Sequence, residues 1–286
     1  MNVLIVAVLL FLPVGASAAD DRAQEPSVVA EGEAAPVVDM RTNQEKLTDP
    51  DPQVRLNALL ALEQEKKPAN LPAIKKLLTD TDPGVAKTAV AIVSRSGGDT
   101  AADALISAYN RQSDVMARSA ILEALGKMRS KKSVPFLLGV LKDTYPGFRS
   151  GALRSLTQIN DTSSYDRIVE MLSDGDAGVV VAASRAAGQL KITAASPSLQ
   201  KNLASLMPVV RKASVQALGE LQDQTAIEPL KKMVSDPDPA VVRAVRPALE
   251  RIDPAAAQSL LPAVTDSAVQ ETPQKKGKKK KTLPKK

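Results

Sequence analysis

Residues 208–221 read PVVRKASVQALGEL. Val210, Ser214, Ala217, Leu218 and Leu221 are apolar or small, and at about 100° per residue they fall on one face of a helix. The stretch recurs. An apolar anchor equivalent to Val210 stands at Val54, Val85, Ala117, Phe148, Val179 and Val241, so the spacing is 31 residues except for one step of 32 between Val85 and Ala117. Self-similarity at a fixed period marks an array of stacked units, because one such unit cannot bury its apolar face alone.

The start of each repeated helix is legible. Three residues before the anchor stand Asp51, Asp82, Asp114, Asp176 and Asp238, and one residue later come Pro52, Pro83, Pro146, Pro208 and Pro239. Asp followed by Pro makes a sound helix start: the carboxylate accepts amide protons that lack a partner, and Pro has none to leave unpaired. A second, shorter apolar pattern follows about 20 residues after each anchor, as Ile74, Leu77 and Leu78, Leu137, Val140 and Leu141, Ile168, Met171 and Leu172, or Leu230, Met233 and Val234. Each unit is therefore expected to be an antiparallel helix pair, in a chain of about fifteen helices starting near Asp39–Thr48.

The pattern D-P-x-V-R-x-x-A-x-x-A-L is carried by Asp51-Pro52-Gln53-Val54-Arg55 with Ala58, Ala61 and Leu62, and in part by Val210-Arg211 with Ala217-Leu218-Gly219. It resembles the HEAT repeats, in particular the short HEAT-like units also found in phycobilin lyases, over residues 38–266. The resemblance implies an all-α fold, an α-solenoid wound as a right-handed superhelix of about seven antiparallel helix pairs, with the first helix of each pair lining a concave face. It also implies that Asp and Arg side chains form a ladder between adjacent units. Asp49, Asp51, Arg55, Asp82, Asp143, Arg149, Asp176 and Asp238 are assigned to caps and ladder, with Asp49 and Arg55, and Asp143 and Arg149, each six residues apart. Gln112 and Ser205 stand six residues before Arg118 and Arg211, so the ladder is expected to be incomplete there.

Composition narrows the chemistry. The sequence has no Cys, which excludes disulfides and thiolate metal sites, and no His, which removes the commonest general base and imidazole ligand. Deoxyhypusine hydroxylase resembles the same fold, but its di-iron site requires His-Glu pairs that this sequence lacks. The pairs Asp49/Asp51, Asp80/Asp82, Asp174/Asp176 and Asp236/Asp238 look like calcium loops, yet the twelfth position, which needs a bidentate acid, holds Leu60, Ala91, Arg185 and Pro247. Ser198-Leu199-Gln200-Lys201 matches S-x-x-K, but the accompanying S-D-N and K-T-G are missing. No catalytic residue, metal ligand or cofactor is expected.

Surface charge is more informative. Two and six residues after the anchor, positions pointing away from the core hold Lys87, Arg154, Arg185, Lys212 and Arg243 against one acid, Glu123. Glu63 and Glu250 dilute the excess. The expectation is a mildly basic concave groove for an acidic segment of another protein or a polyanion. Phycobilin lyases hold a tetrapyrrole in such a groove, which gives the alternative of an accessory or maturation factor holding a client or small ligand; the aromatic content of 2% speaks against a chromophore.

The ends carry further expectations. Met1–Ala18 reads as a secretory signal: residues 3–12 are apolar, Pro13 and Gly15 break the run, and Ala16-Ser17-Ala18 is a small-x-small cleavage site. Export across an inner membrane into a periplasm follows, with cleavage after Ala18. Residues 19–37 are acidic and punctuated by Pro and Gly, which reads as a flexible linker. Residues 267–286 read as a disordered tail in which Lys275, Lys276, Lys278, Lys279, Lys280, Lys281, Lys285 and Lys286 face no acid after position 274. Removing those eight charges from the net +6 leaves −2, so the basicity is local to the tail. It suits an anionic envelope surface; nucleic acid would be its target only in a chain that is not exported.

Overall fold

Among the described residues seven long helices repeat: α2 (Pro52–Glu65), α4 (Pro83–Ser96), α6 (Val115–Met128), α8 (Pro146–Ile159), α10 (Ala177–Gln189), α12 (Pro208–Leu221) and α14 (Pro239–Ile252). Between and around them lie α1 (Asn43–Lys46), α3 (Leu71–Lys76), α5 (Gly98–Arg111), α7 (Val134–Val140), α9 (Tyr165–Glu170), α11 (Ser196–Asn202), α13 (Ile227–Lys232) and α15 (Pro254–Gln258). The structure, a computed structural model, describes residues 39–260. The expected signal segment and linker, and the Lys-rich tail, lie outside the described residues. Among those described the fold is all-α, an α-solenoid without strands.

Local chemistry sets both ends of each long helix. The carboxylates of Asp51, Asp82, Asp114, Asp176 and Asp238 accept amide protons from the first turn, while Tyr145 and Met207 hold the same place in α8 and α12 without a side-chain bond. The far ends are equally regular. Twelve residues after their anchors, Lys66, Arg129, Asn160, Lys191 and Gln222 adopt φ between 51° and 57°, a left-handed residue that turns the chain out of the helix.

The second half of a unit is more broken than a plain helix. In most units a 3-10 turn leads into a short α-helix, and in several a second 3-10 turn follows, so that Leu77, Leu78, Met171 and Leu172 sit in 3-10 turns. Tight turns suit a segment this short, where few residues must cross back over the core. The second unit departs from this plan. Gly97 and Gly98, at φ 68° and 75°, lead directly into the single 14-residue helix α5, within the one 32-residue step.

Each long helix packs on the next, from α2 through α14, and from α4 onward each also packs on the short segments that precede it. One core runs continuously from Leu47 to Ala257. The approach between long helices is very close. Gly126, Gly188 and Gly219, nine residues after their anchors, face Ser155, Ala217 and Ala248 of the following helix. A Cβ placed on Gly219 would stand 2.6 Å from the Ala248 Cα, on Gly126 2.8 Å from the Ser155 Cα, and on Gly188 3.1 Å from the Ala217 Cα. Ser155 Oγ also donates to the Leu122 carbonyl at 2.7 Å across this seam. Backbones this near put neighbouring axes toward the low end of the usual 8–10 Å (order of magnitude, ~8 Å).

Two glycine substitutions should therefore move stability in opposite directions. Gly139→Ala in α7, where an added Cβ meets nothing within 4 Å, should stabilise by up to about 1 kcal/mol through helix propensity. Gly219→Ala should destabilise by about 1–3 kcal/mol through overpacking against α14. Urea denaturation of both variants checks the signs.

Candidate functional site

Two surfaces carry the charged residues of the repeat: the turns before the long helices, and the face of the long helices turned away from the short segments. The turns align each long helix with the next. Asp80 Oδ1 accepts the Asp82 amide at 2.8 Å, and the Asp80 carboxylate also receives Arg55 in a bidentate pair at 2.6 and 2.8 Å. The other guanidinium nitrogen of Arg55 donates to the carbonyls of Asp49 and Pro50. Arg55 thus clamps the turn before its own helix to the turn before the next. Arg149 does the same with Asp174, and Arg211 with Asp236.

This corrects the ladder expected from the sequence. Arg55 and Arg149 do not pair with the carboxylates six residues earlier; they take only the backbone carbonyls of Asp49 and Asp143, and their carboxylate partners lie 25 residues later. Arg211 consequently has a full partner in Asp236, although Ser205 precedes it. Asp49 Oδ1 instead accepts the Asp51 amide, and Asp49 pairs with Arg41 at 2.7 Å. Where a unit has no Arg after its anchor, the corresponding acid is missing as well. Ala86 goes with Gln112 and Val180 with Ser205, while the Gln112 and Ser205 side chains still accept the turn amides of Asp114 and Met207.

Arg118 is the exception among the clamps. It reaches Asp143 only at 3.4 Å, its Nε is buried without a partner, and its guanidinium lies 4.1 Å from the Tyr109 ring and 4.2 Å from the Phe148 ring. Tyr109 also packs edge-on against Phe136 and Phe148. Ring faces replace much of the carboxylate contact here, at the seam that follows the irregular second unit.

The electrostatics of the regular clamps favour ionised carboxylates. Hydrogen bonding from Arg211 holds the Asp236 carboxyl below the usual range against the opposing effect of burial. Burial alone would raise Asp174, but the Arg149 hydrogen bond, the Asp176 amide and the Arg149 charge outweigh it, and the net shift is downward.

The second surface is a row of furrows between successive long helices. Between α8 and α10 a furrow of about 450 Å³ is lined by Ser150, Arg154, Thr157, Gln158, Val181, Arg185 and Gln189, among others. The next, between α10 and α12, of about 270 Å³, is lined by Arg185, Gln189, Lys212, Gln216 and Glu220. Arg154 and Arg185 occupy the same position of adjacent units, and so do Gln158 and Gln189 one turn further on. Lys87, Arg154, Arg185 and Arg243 are exposed and Lys212 is half-buried. None of the five has a carboxylate within 4 Å among the described residues. Glu63 and Glu250 are taken up by Arg95 and Arg246.

Glu123, on α6, interrupts the basic row between Lys87 and Arg154. It accepts from Lys127 at 2.5 Å, and that bond, with the charges of Lys87 and Arg154, holds its carboxyl below the usual range despite burial. Glu220, in the Lys212 furrow, escaped the sequence reading because it lies ten residues after its anchor, beyond the two positions considered. A further feature missed was an apolar rim. Leu206 is 95% exposed, and Met207, Val209 and Tyr145 are exposed beside the starts of α8 and α12, where other units carry the Asp cap, while Met116 is exposed beside the Asp-capped start of α6. Replacement of the cap by Tyr and Met was the available signal.

A sequence profile of HEAT repeats matches residues 42–126, 103–189, 134–206 and 196–273. The chain belongs to the HEAT-repeat family. Its units are short members of that family, as the 31-residue period shows. Solved structures similar to this HEAT solenoid include an engineered protein, 21% identical, covering 73% of this chain and 67% of that one at a TM-score of 0.46. Another is the complex of CpcE and CpcF of phycocyanin lyase from a Nostoc species, 20% identical, covering 80% and 99% at a TM-score of 0.43. Human deoxyhypusine hydroxylase in complex with glycerol is 18% identical over 73% and 94%, at a TM-score of 0.34. Likeness at this level carries no argument about activity or partner. No curated protein matches the sequence.

A clamp aspartate of lowered pKa contributes stability that is present above its unfolded value of about 4 and is lost as pH falls through the lower folded value. Asp236→Asn should therefore lower the urea midpoint at neutral pH and flatten its decline below about pH 4. Asp143→Asn, which loses only the long contact to Arg118, should lower the neutral midpoint less.

Proposed function

We propose that this HEAT solenoid is a non-catalytic binding scaffold of the cell envelope, whose open long-helix face holds an acidic segment of another protein. The observation that carries the reading is the run of Arg154, Arg185 and Lys212 across α8, α10 and α12, without a carboxylate within 4 Å of any of them among the described residues. Cations left unpaired along a furrow with amide side chains beside them form a surface suited to carboxylates and peptide groups. The alternative of a factor holding a small chromophore calls for an apolar, aromatic lining. These furrows are instead lined by Arg, Lys, Gln, Ser and Thr as much as by apolar side chains, which favours a protein segment.

The location rests on the sequence of Met1–Ala18, and the tail supplies a second contact in the same reading. The eight Lys of residues 275–286 attach the scaffold loosely to an anionic envelope surface, each adding about 1 kcal/mol near such a surface before salt screening.

Two measurements test this. Fluorescence anisotropy with a labelled oligoglutamate peptide should show binding that the double charge reversal Arg154→Glu with Arg185→Glu weakens at least tenfold, roughly 1.4 kcal/mol or more; an unchanged affinity contradicts the assignment. Deleting residues 275–286 should abolish salt-sensitive co-sedimentation with phosphatidylglycerol vesicles; sedimentation that ignores the deletion removes the tail from the account.

A further inference from the structure

The turns before the long helices differ in charge. Those before α2, α4 and α14 each carry two carboxylates, Asp49 with Asp51, Asp80 with Asp82 and Asp236 with Asp238. Of the four between, only the turn before α10 keeps both, as Asp174 and Asp176, and the turn before α12 has neither, with Ser205 and Met207 in those places. These four lie along one edge. Arg118 reaches from the start of α6 to Asp143, and Arg149 from the start of α8 to Asp174. Asn202, at the end of α11, donates to the Leu172 carbonyl at 2.9 Å and joins the approach to α12 to the approach to α10.

The edge is apolar at its tips. Met116, Tyr145, Leu206, Met207 and Val209 are exposed there. Among the residues exposed between them, Ser113, Thr144, Ser173, Gly175, Gly178 and Ala204 are small and uncharged. The carboxylates are already engaged: Asp114 and Asp176 accept amides of their own helices, Asp143 and Asp174 take Arg118 and Arg149, and Glu170 pairs with Arg167. Three cations are not. Arg111, Lys142 and Lys201, at or just beyond the ends of α5, α7 and α11, are exposed and have no carboxylate within 4 Å among the described residues.

Projecting apolar side chains flanked by cations fit a surface that deforms around them. A protein partner needs a pocket matched to each side chain. The interface of a bilayer instead takes Leu, Met and Val into its acyl boundary and Tyr among its headgroups, while anionic headgroups attract the neighbouring cations. Tyr145 and Met207 also replace a cap carboxylate that such a surface repels, with loss of the cap hydrogen bond. We infer that the edge running from the start of α6 to the start of α12 docks on an anionic phospholipid bilayer, with Leu206 and Met207 inserted. This rests on the envelope location proposed above and adds to the Lys-rich tail. The tail supplies a contact that salt screens and the edge one that it does not, and two such signals hold a protein more firmly than either alone.

The sequence has no Trp, so Leu206→Trp in the full chain places a single reporter at the most exposed of these positions. With phosphatidylglycerol vesicles in about 1 M salt, where the Debye length is about 3 Å, its emission should shift to the blue; an unshifted emission overturns the inference. Met207→Asp restores the cap residue that five other units carry, so it should leave the urea midpoint unchanged or higher while weakening vesicle binding at that salt about tenfold. Unchanged binding overturns the docking. Binding that survives removal of residues 275–286 but not Met207→Asp keeps the edge and removes the tail from the account. A blue shift that grows with protein concentration in the absence of vesicles assigns the edge to a second copy of the chain and overturns the bilayer. Absence of binding at low salt as well overturns the proposed surface attachment, and the edge with it.

Discussion

The close approach of α6 to α8, of α10 to α12 and of α12 to α14 is the constraint on which the rest of this structure depends. Gly126, Gly188 and Gly219 leave no room for a side chain where the backbones of α8, α12 and α14 come nearest. With aromatics at 2% of the sequence, the core is filled instead by Leu, Val, Ile and many Ala, which suits thin helices laid side by side. Because the same small residue recurs at the same place in several units, the approach is repeated rather than averaged. Repetition of that contact places equivalent side chains of successive units at similar intervals along the open face.

The arginine clamps complement this packing from the ends of the helices. Small residues set how near two helices come, whereas Arg55, Arg149 and Arg211 set how the turns before them are aligned. Each guanidinium spans two turns at once, accepting nothing and donating to carbonyls of one and the carboxylate of the other. The paired loss of Arg and Asp at Ala86 with Gln112, and at Val180 with Ser205, follows from the same physics. A buried carboxylate without its guanidinium is costly, so a unit does better with neither partner than with one.

Much of this was legible in the sequence, for a definite reason. Helix starts are local: an Asp followed by Pro caps the helix that begins beside it, and five Asp caps stand where their spacing from the anchors places them. The clamps were misread because Asp49 lies six residues from Arg55 and Asp80 lies 25, and proximity in sequence stood in for proximity in space. The mixed 3-10 and α character of the short segments was hidden because apolar residues three and four apart serve either helix. The glycine seam went unread, although Gly126, Gly188 and Gly219 each fall nine residues after an anchor. On the open face the arginines were visible, while the acids that interrupt the row, Glu123 with its Lys127 partner and Glu220, acquired their meaning only once neighbouring helices were seen side by side.

The account comes down to which face of the HEAT array is used. An NMR titration of the isotopically labelled chain with an oligoglutamate peptide addresses that directly. It predicts shifted amide resonances clustered around Arg154, Arg185 and Lys212 on α8, α10 and α12, with the turn residues and short helices unmoved. Shifts gathered instead at the apolar rim of Leu206, Met207 and Val209, or spread over the short helices, would contradict it.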